Sequence, residues 1–285
     1  TQAASDGLNT LTLDSTGSTV TINGSNTFDG LTVNADGGAT VNGTGNTDTE
    51  ITIDEADLTF NDQVTFDTNA VELLLSSGGL LSFNDGTTAA TANQNLTIRA
   101  GDLHIADGSV FDFGGNTVEF FTHDGSADGA VAMNLGTDGT VGGFELSDAA
   151  GSDEVATLNG TGTIRFGEPS VQSAEITVRT VSIPAAADDA PLEVYSDNDA
   201  GTGTAAIRLE DNEGATAPAL NTDTAAVTMY AAGGSLYTPN TSDDTNEQPE
   251  IDTTGQVILS SGSQIGDNGT LTAGYAPLQF PAGMD

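Results

Sequence analysis

The chain reads as all-β: a parallel β-solenoid-like N-terminal region with about 20 residues per repeat, then a second, sandwich-like β-rich region. Three observations predict this. Apolar-x-apolar triplets recur at a fixed 20-residue interval: Leu11-Thr12-Leu13, Leu31-Thr32-Val33, Ile51-Thr52-Ile53 and Val71-Glu72-Leu73. Short runs rich in Thr, Val, Ile and Phe alternate apolar with polar, and Gly, Asn and Asp punctuate them, which is the pattern of half-buried strands. No window long enough for a helix carries a 3.6-residue period.

Taken in order, the triplets are the first strand series, and Asp14, Asn34 and Asp54 follow the first three of them. A second series lies between: Val20-Thr21-Ile22, Ala39-Thr40-Val41, Leu58-Thr59-Phe60 and Leu81-Ser82-Phe83, at spacings of 19, 19 and 23. Each repeat therefore holds at least two strands. In a solenoid, equivalent residues stack at about 4.8 Å. Leu11, Leu31, Ile51 and Val71 then form an internal apolar ladder, and Asp14, Asn34 and Asp54 an external polar one. Asparagine in such a ladder shares side-chain hydrogen bonds and dilutes the repulsion between aspartates. An antiparallel alternative would use Asp29-Gly30 and Asn42-Gly43 as hairpin turns. The fixed interval favours the solenoid, because it keeps like beside like. After Phe83 the period loosens, but Leu96-Thr97-Ile98, Val110 to Phe113, Val118-Glu119-Phe120 and Phe144-Glu145-Leu146 keep the alternation. Ala70 to Leu75 is too short for a helix.

All eight prolines lie at or beyond Pro169 and all four tyrosines at or beyond Tyr195, while ten of the eleven phenylalanines lie at or before Phe166. This shift divides the chain into residues 1–168, the repeat region, and 169–285, a Pro- and Tyr-containing region. Strands of the second region are expected at Glu175 to Val178, Leu192 to Tyr195, Ala206 to Leu209, Ala226 to Tyr230 and Gln256 to Leu259. Residues 239–250 contain no apolar side chain and read as an exposed acidic loop. The tail carries Leu278, Phe280 and Met284, an apolar set suited to docking on a neighbour or capping the stack, and these are the candidate assembly residues.

The formal net charge is −38, from 42 acids against four arginines (Arg99, Arg165, Arg179, Arg208) and no lysine. Such a charge opposes nucleic acid and anionic membranes as partners. It suits halophilic or marine surroundings, where salt screens the repulsion, or calcium held between stacked carboxylates. Without cysteine there are no disulfides, thiolate metal sites or cysteine nucleophiles. No apolar run is long enough to span a bilayer as a helix, so membrane insertion is not expected.

Candidate chemistry is sparse. Asp197-Asn198-Asp199-Ala200-Gly201 resembles the opening of a calcium loop, with Asp197 and Asp199 as metal ligands, but it lacks the bidentate glutamate of an EF-hand. An Asx-rich turn explains it as well. His104 and His123, the only histidines, would lie on adjacent rungs of a 20-residue coil. No Gly-x-Ser-x-Gly elbow or phosphate-binding glycine loop occurs. Calcium is the one cofactor suggested, and no catalytic residue stands out.

The segments Gly17-Ser18-Thr19-Val20-Thr21-Ile22-Asn23-Gly24 and Phe28-Asp29-Gly30-Leu31-Thr32-Val33-Asn34 resemble repeats of secreted bacterial adhesins and phage tail-fibre proteins. Ile207 to Gly214, Val227 to Tyr237 and Thr254 to Leu259 resemble segments near the ends of such fibres. The resemblance implies an extracellular, cell-surface or virion structural role as a homo-oligomer, and carries over no functional residue. The expectation is a non-enzymatic, self-associating subunit of an extracellular fibre, its partner a copy of itself. The alternatives are a β-helical polysaccharide-active enzyme, its groove lined by acids and Tyr195, Tyr230 and Tyr237, and a monomeric module that binds surface glycans.

Overall fold

The computed structural model describes residues 10–28, 30–35, 38–42, 49–54, 56–67, 70–84, 88–91, 94–106, 108–125, 128–136, 144–149, 152–168, 171–187, 189–197, 205–210, 218–237, 251–262 and 265. Strands of two to six residues dominate, and along most of them burial alternates residue by residue, as in Val71–Leu75 and Leu96–Ala100. β-Branched and aromatic side chains fill the inward positions, while Thr, Asn and acids take the outward ones. Such short strands have only one apolar side, so they are stable only when stacked.

The stack has three faces, and every strand pairing within them is parallel. The first face opens with Thr10–Ser15, Gly30–Ala35, Leu58–Phe60, Leu80–Phe83 and Asp102–Ile105. The second holds Val20–Asn23, Ala39–Asn42, Val64–Asp67, Thr88–Thr91, Val110–Gly114 and Leu158–Gly160, then a separate sheet of Val181–Ser182, Leu220–Asp223 and Ile251–Thr253. The third is one continuous nine-stranded sheet: Asn26–Phe28, Thr49–Ile53, Val71–Leu75, Leu96–Ala100, Val118–Thr122, Ile164–Phe166, Leu192–Ser196, Val227–Ala231 and Val257–Ser261. One turn of the coil thus uses three strands. The only helical element among the described residues is the 3₁₀ turn Val155–Thr157, and no helix is long and apolar enough to cross a membrane.

The parallel solenoid stands, but the 20-residue ladder does not. Leu11 lies beside Leu31 and Leu13 beside Val33, on the first face. Leu31 is followed there by Leu58, not by Ile51. Ile51 and Val71 belong to the third face, where Ile51 neighbours Leu73, and Ile53 neighbours Phe28 and Leu75. Likewise, Leu58 and Leu81 stack on the first face, while Val20 and Ala39 stack on the second. The physical reason is that the turns vary in length while strands stay short. A constant sequence interval therefore lands on different faces.

Pairing runs across residues 167–169 without a break: Ile164 and Phe166 sit beside Leu192 and Val194. The strands beyond are parallel rungs of the same coil, not the antiparallel layers of a sandwich. Phenylalanines form a column inside the earlier coils. Phe60 and Phe83 stack with centroids 5.6 Å apart, Phe83 and Phe111 lie 5.5 Å apart, and Phe120 and Phe166 5.2 Å apart. Tyr195 and Tyr230 sit on the outward side of the third face, so the aromatic shift there is largely one from inside to outside.

One irregularity organises the middle of the molecule. The first face continues in the order Phe144–Leu146, Met133–Gly136, Ile176–Arg179, Ala205–Glu210, Ser235–Tyr237. After Thr122 the chain lays Met133–Gly136 one rung ahead, then fills the skipped place with Phe144–Leu146. Among the described residues the third face has no matching extra strand, and Gln172 occupies its corner instead. Wholly buried, its amide donates to Val131 O and Ala174 O and accepts from Thr122 Oγ1.

Candidate functional site

The outward row of the third face places Glu50, Glu72, Thr97, Glu119, Arg165, Glu193, Thr228 and Ile258 on successive rungs. Carboxylates about 4.8 Å apart repel, and a cation between them removes the penalty. Arg165 does this: Nη1 bonds Glu119, Nε lies 2.7 Å from Glu193 Oε2, and its guanidinium lies 5.8 Å from the Tyr195 ring centre. Burial works against the Arg165 charge, and the hydrogen bond and charge of Glu193, with Glu119, more than offset it, so its pKa lies above the ordinary value. Burial and the Glu193 charge push the Tyr195 hydroxyl upward. Arg99 bonds Glu72 and Asp128 and covers Phe121 at 4.3 Å. On the first face Arg179 pairs with Glu210, and Arg208 with Glu175 and Glu210. All four arginines tie one rung to another.

A second cluster lies on the first face between Asp102–Ile105 and Phe144–Leu146, which belong to separate sheets. Carboxylates stitch this seam. Asp102 Oδ1 accepts from Leu103 N at 2.9 Å and Glu145 N at 3.0 Å. Glu154, almost wholly buried, accepts from Ser147 N at 2.8 Å and Ile105 N at 3.4 Å, and holds His104 Nδ1 at 3.2 Å. Burial raises both carboxyl pKa values above the ordinary range, and the backbone N–H groups only partly reverse it.

Other predicted residues fall separately. His104 is on the first face. His123 follows the third, bonded to Asp128 at 2.7 Å and facing Ser76 O at 3.1 Å. The two histidines are not brought to one site. Asp197 ends the strand Leu192–Ser196, and its N–H donates to Gln172 O at 2.6 Å. Asp199, the loop 239–250 and the assembly candidates Leu278, Phe280 and Met284 lie outside the described residues. Among the described residues no three His, Asp or Glu side chains converge to hold a metal. Asp223 and Asp252 line an open groove on the second face with Ile183, Asn221 and Thr254.

The ends of the stack differ from its middle. Inward side chains such as Leu73, Ile98, Phe120 and Val194 are wholly buried. In the first coil Leu11, Leu13, Val20 and Phe28 are only partly covered, and in the last coil so are Val257 and Leu259. On the outward side of the last coil Ile258 is 48 % exposed, and so is Ile265 beyond it. On the second and third faces, no described strand pairs with the outer edge of the first or last rung. The sequence suggested two modes of association, open strand edges at the ends of the stack or a docked terminal segment, and named residues only for the second, in the tail. The available signal for the first was the position of the first and last alternating runs in the chain. No family model, curated protein or solved structure matches this chain.

Proposed function

We propose that the chain is a non-catalytic structural subunit of an extracellular fibre or filament, at a cell or virion surface, that associates with copies of itself. The single observation that carries this reading is the core left part-open along the first coil, at Leu11, Leu13, Val20 and Phe28, and on the third face of the last, at Val257 and Leu259, although Ile251 on the second face there is buried. Unpaired parallel edges beside part-exposed apolar groups are templates for another chain. Backbone ladders supply stiffness along the coil axis, and the apolar column supplies cohesion. The charge of −38 holds copies apart at low ionic strength. Salt, or calcium bridging carboxylates between copies, relieves that repulsion.

Light scattering and negative-stain imaging across sodium chloride and calcium concentrations test it. Elongated polymers are expected as either rises, and a monodisperse monomer throughout overturns the reading. A glycan-binding role is the second reading, favoured by Tyr195 and Tyr230, whose rings lie 6.2 Å apart on the outward side of adjacent rungs. Its mark would be saturable binding of glycans without turnover, lost in Tyr230→Ala.

A further inference from the structure

Resting on the fibre reading, we infer that copies join head to tail in one register, the first coil of one copy continuing the third face of the next. Among the described residues the third face is the only sheet unbroken from first coil to last, so its ladders define the register by continuation. One inward ladder runs Asn26, Ile51, Leu73, Ile98, Phe120, Phe166, Val194, Met229, Leu259. Thr27 and Thr52 begin the outward ladder beside it, and Tyr195, Tyr230 and Ser260 end it. Continuing the sheet by one more rung puts Asn26 of the incoming copy beside Leu259, Thr27 beside Ser260 and Phe28 beside Ser261.

Three features select this arrangement. Stacking along the axis keeps each face over its own face and every strand parallel, as within the chain. It brings the part-exposed Phe28 edge of the third face against the Val257 and Leu259 edge of the same face. A contact between two different surfaces repeats without closing, so it yields a filament rather than a dimer. On the first face, Ile265 already begins another rung through one bridge to Leu236. The incoming Thr10–Ser15 strand takes that place, exchanging a single bridge for a six-residue strand.

The absence of cysteine makes the register directly readable. In the full-length double variant Thr27→Cys with Ser260→Cys, parallel neighbours lie about 4.8 Å apart, within reach of a disulfide. Inside one copy the two positions are eight rungs, about 38 Å, apart, so any bridge joins different copies. Oxidation at high salt is expected to give a ladder of covalent trimers and larger species on a non-reducing gel. Each single variant stops at dimer, and light scattering of the reduced double variant checks that it assembles like the parent chain. Polymers without a covalent ladder overturn this register and leave the fibre reading standing. A double variant that stays monomeric and uncrosslinked beside a monomeric parent overturns both. An edge covered by the chain's own residues 266–285 produces that last result.

Discussion

Asn34, Asn61 and Asn84 each donate a side-chain amide hydrogen toward the first rung, and the chain of bonds ends on the carboxylate of Asp14. The amide dipoles point one way, so each bond polarises the next, and the charged acceptor strengthens the last. Asn42 repeats the motif on the second face, donating to Asn23 Oδ1 at 3.0 Å. Replacing Asn61 with Asp removes the donor to Asn34 and adds a charge. The expected loss is about 1–2 kcal/mol in urea unfolding at pH 7, shrinking as pH falls through the ordinary carboxyl range, where the new carboxyl takes up its proton. Half of this ladder was legible in the sequence, since Asp14 and Asn34 follow equivalent triplets. Asp54 was not its third member: it lies at another corner, accepting from Ser76 Oγ at 3.1 Å.

The seam carboxyls give a pH signature of defined sign. Burial raises the Glu154 and Asp102 values above those of the unfolded chain, so each binds its proton more tightly when folded. Their contribution is fully present below the ordinary carboxyl range and is lost as pH rises through the raised values. Glu154→Gln removes one such titration. The stability of E154Q relative to the parent should therefore increase from pH 4 to pH 7 in thermal melts, and a relative decrease would refute the assignment. No sequence pattern pairs Asp102 with Glu145 or Glu154 with Ile105. Those partners meet because a rung is laid out of order.

At the scale of elements, that displaced strand is the feature most sensitive to substitution. Gly136 closes it with φ of +106°, and a Cβ there would lie 1.7 Å from Arg179 O. Left-handed strain and backbone collision act together, so Gly136→Ala should cost about 2–4 kcal/mol. Chemical denaturation measures this, and a loss under about 0.5 kcal/mol would mean the rung is not packed as described. Around the displaced strand the coil encloses a small apolar cavity lined by Leu135, Leu146, Phe166, Val178, Leu192 and Leu220. The ion-paired row of the third face behaves differently. Arg165→Ala leaves Glu119 and Glu193 facing each other across one rung, and Arg165 is partly exposed, so the loss is about 1 kcal/mol. It should fall by half or more in 1 M sodium chloride, where the screening length is about 3 Å, and an unchanged loss would point to packing instead.

For the whole molecule, carboxylates outnumber arginines tenfold and all four arginines are engaged in rung-to-rung pairs, so uncompensated repulsion loads the entire coil. Raising sodium chloride from 0.05 to 1 M should therefore raise the thermal midpoint by several degrees, read by circular dichroism at low protein concentration. A midpoint that falls would show that salt acts mainly on the ion pairs. Strand identity and strand parity came from the sequence alone, because alternation of apolar and polar residues specifies which side of a strand is buried whatever lies beside it. The parallel stacking was legible too, since the triplets cannot form a core singly. The third strand of each turn, the neighbours of Ile51 and Leu58, and the displaced rung were decided only by tertiary structure. Turn length sets which face the next strand reaches, and turns of Gly, Asn, Asp and Thr carry no apolar period that would reveal it.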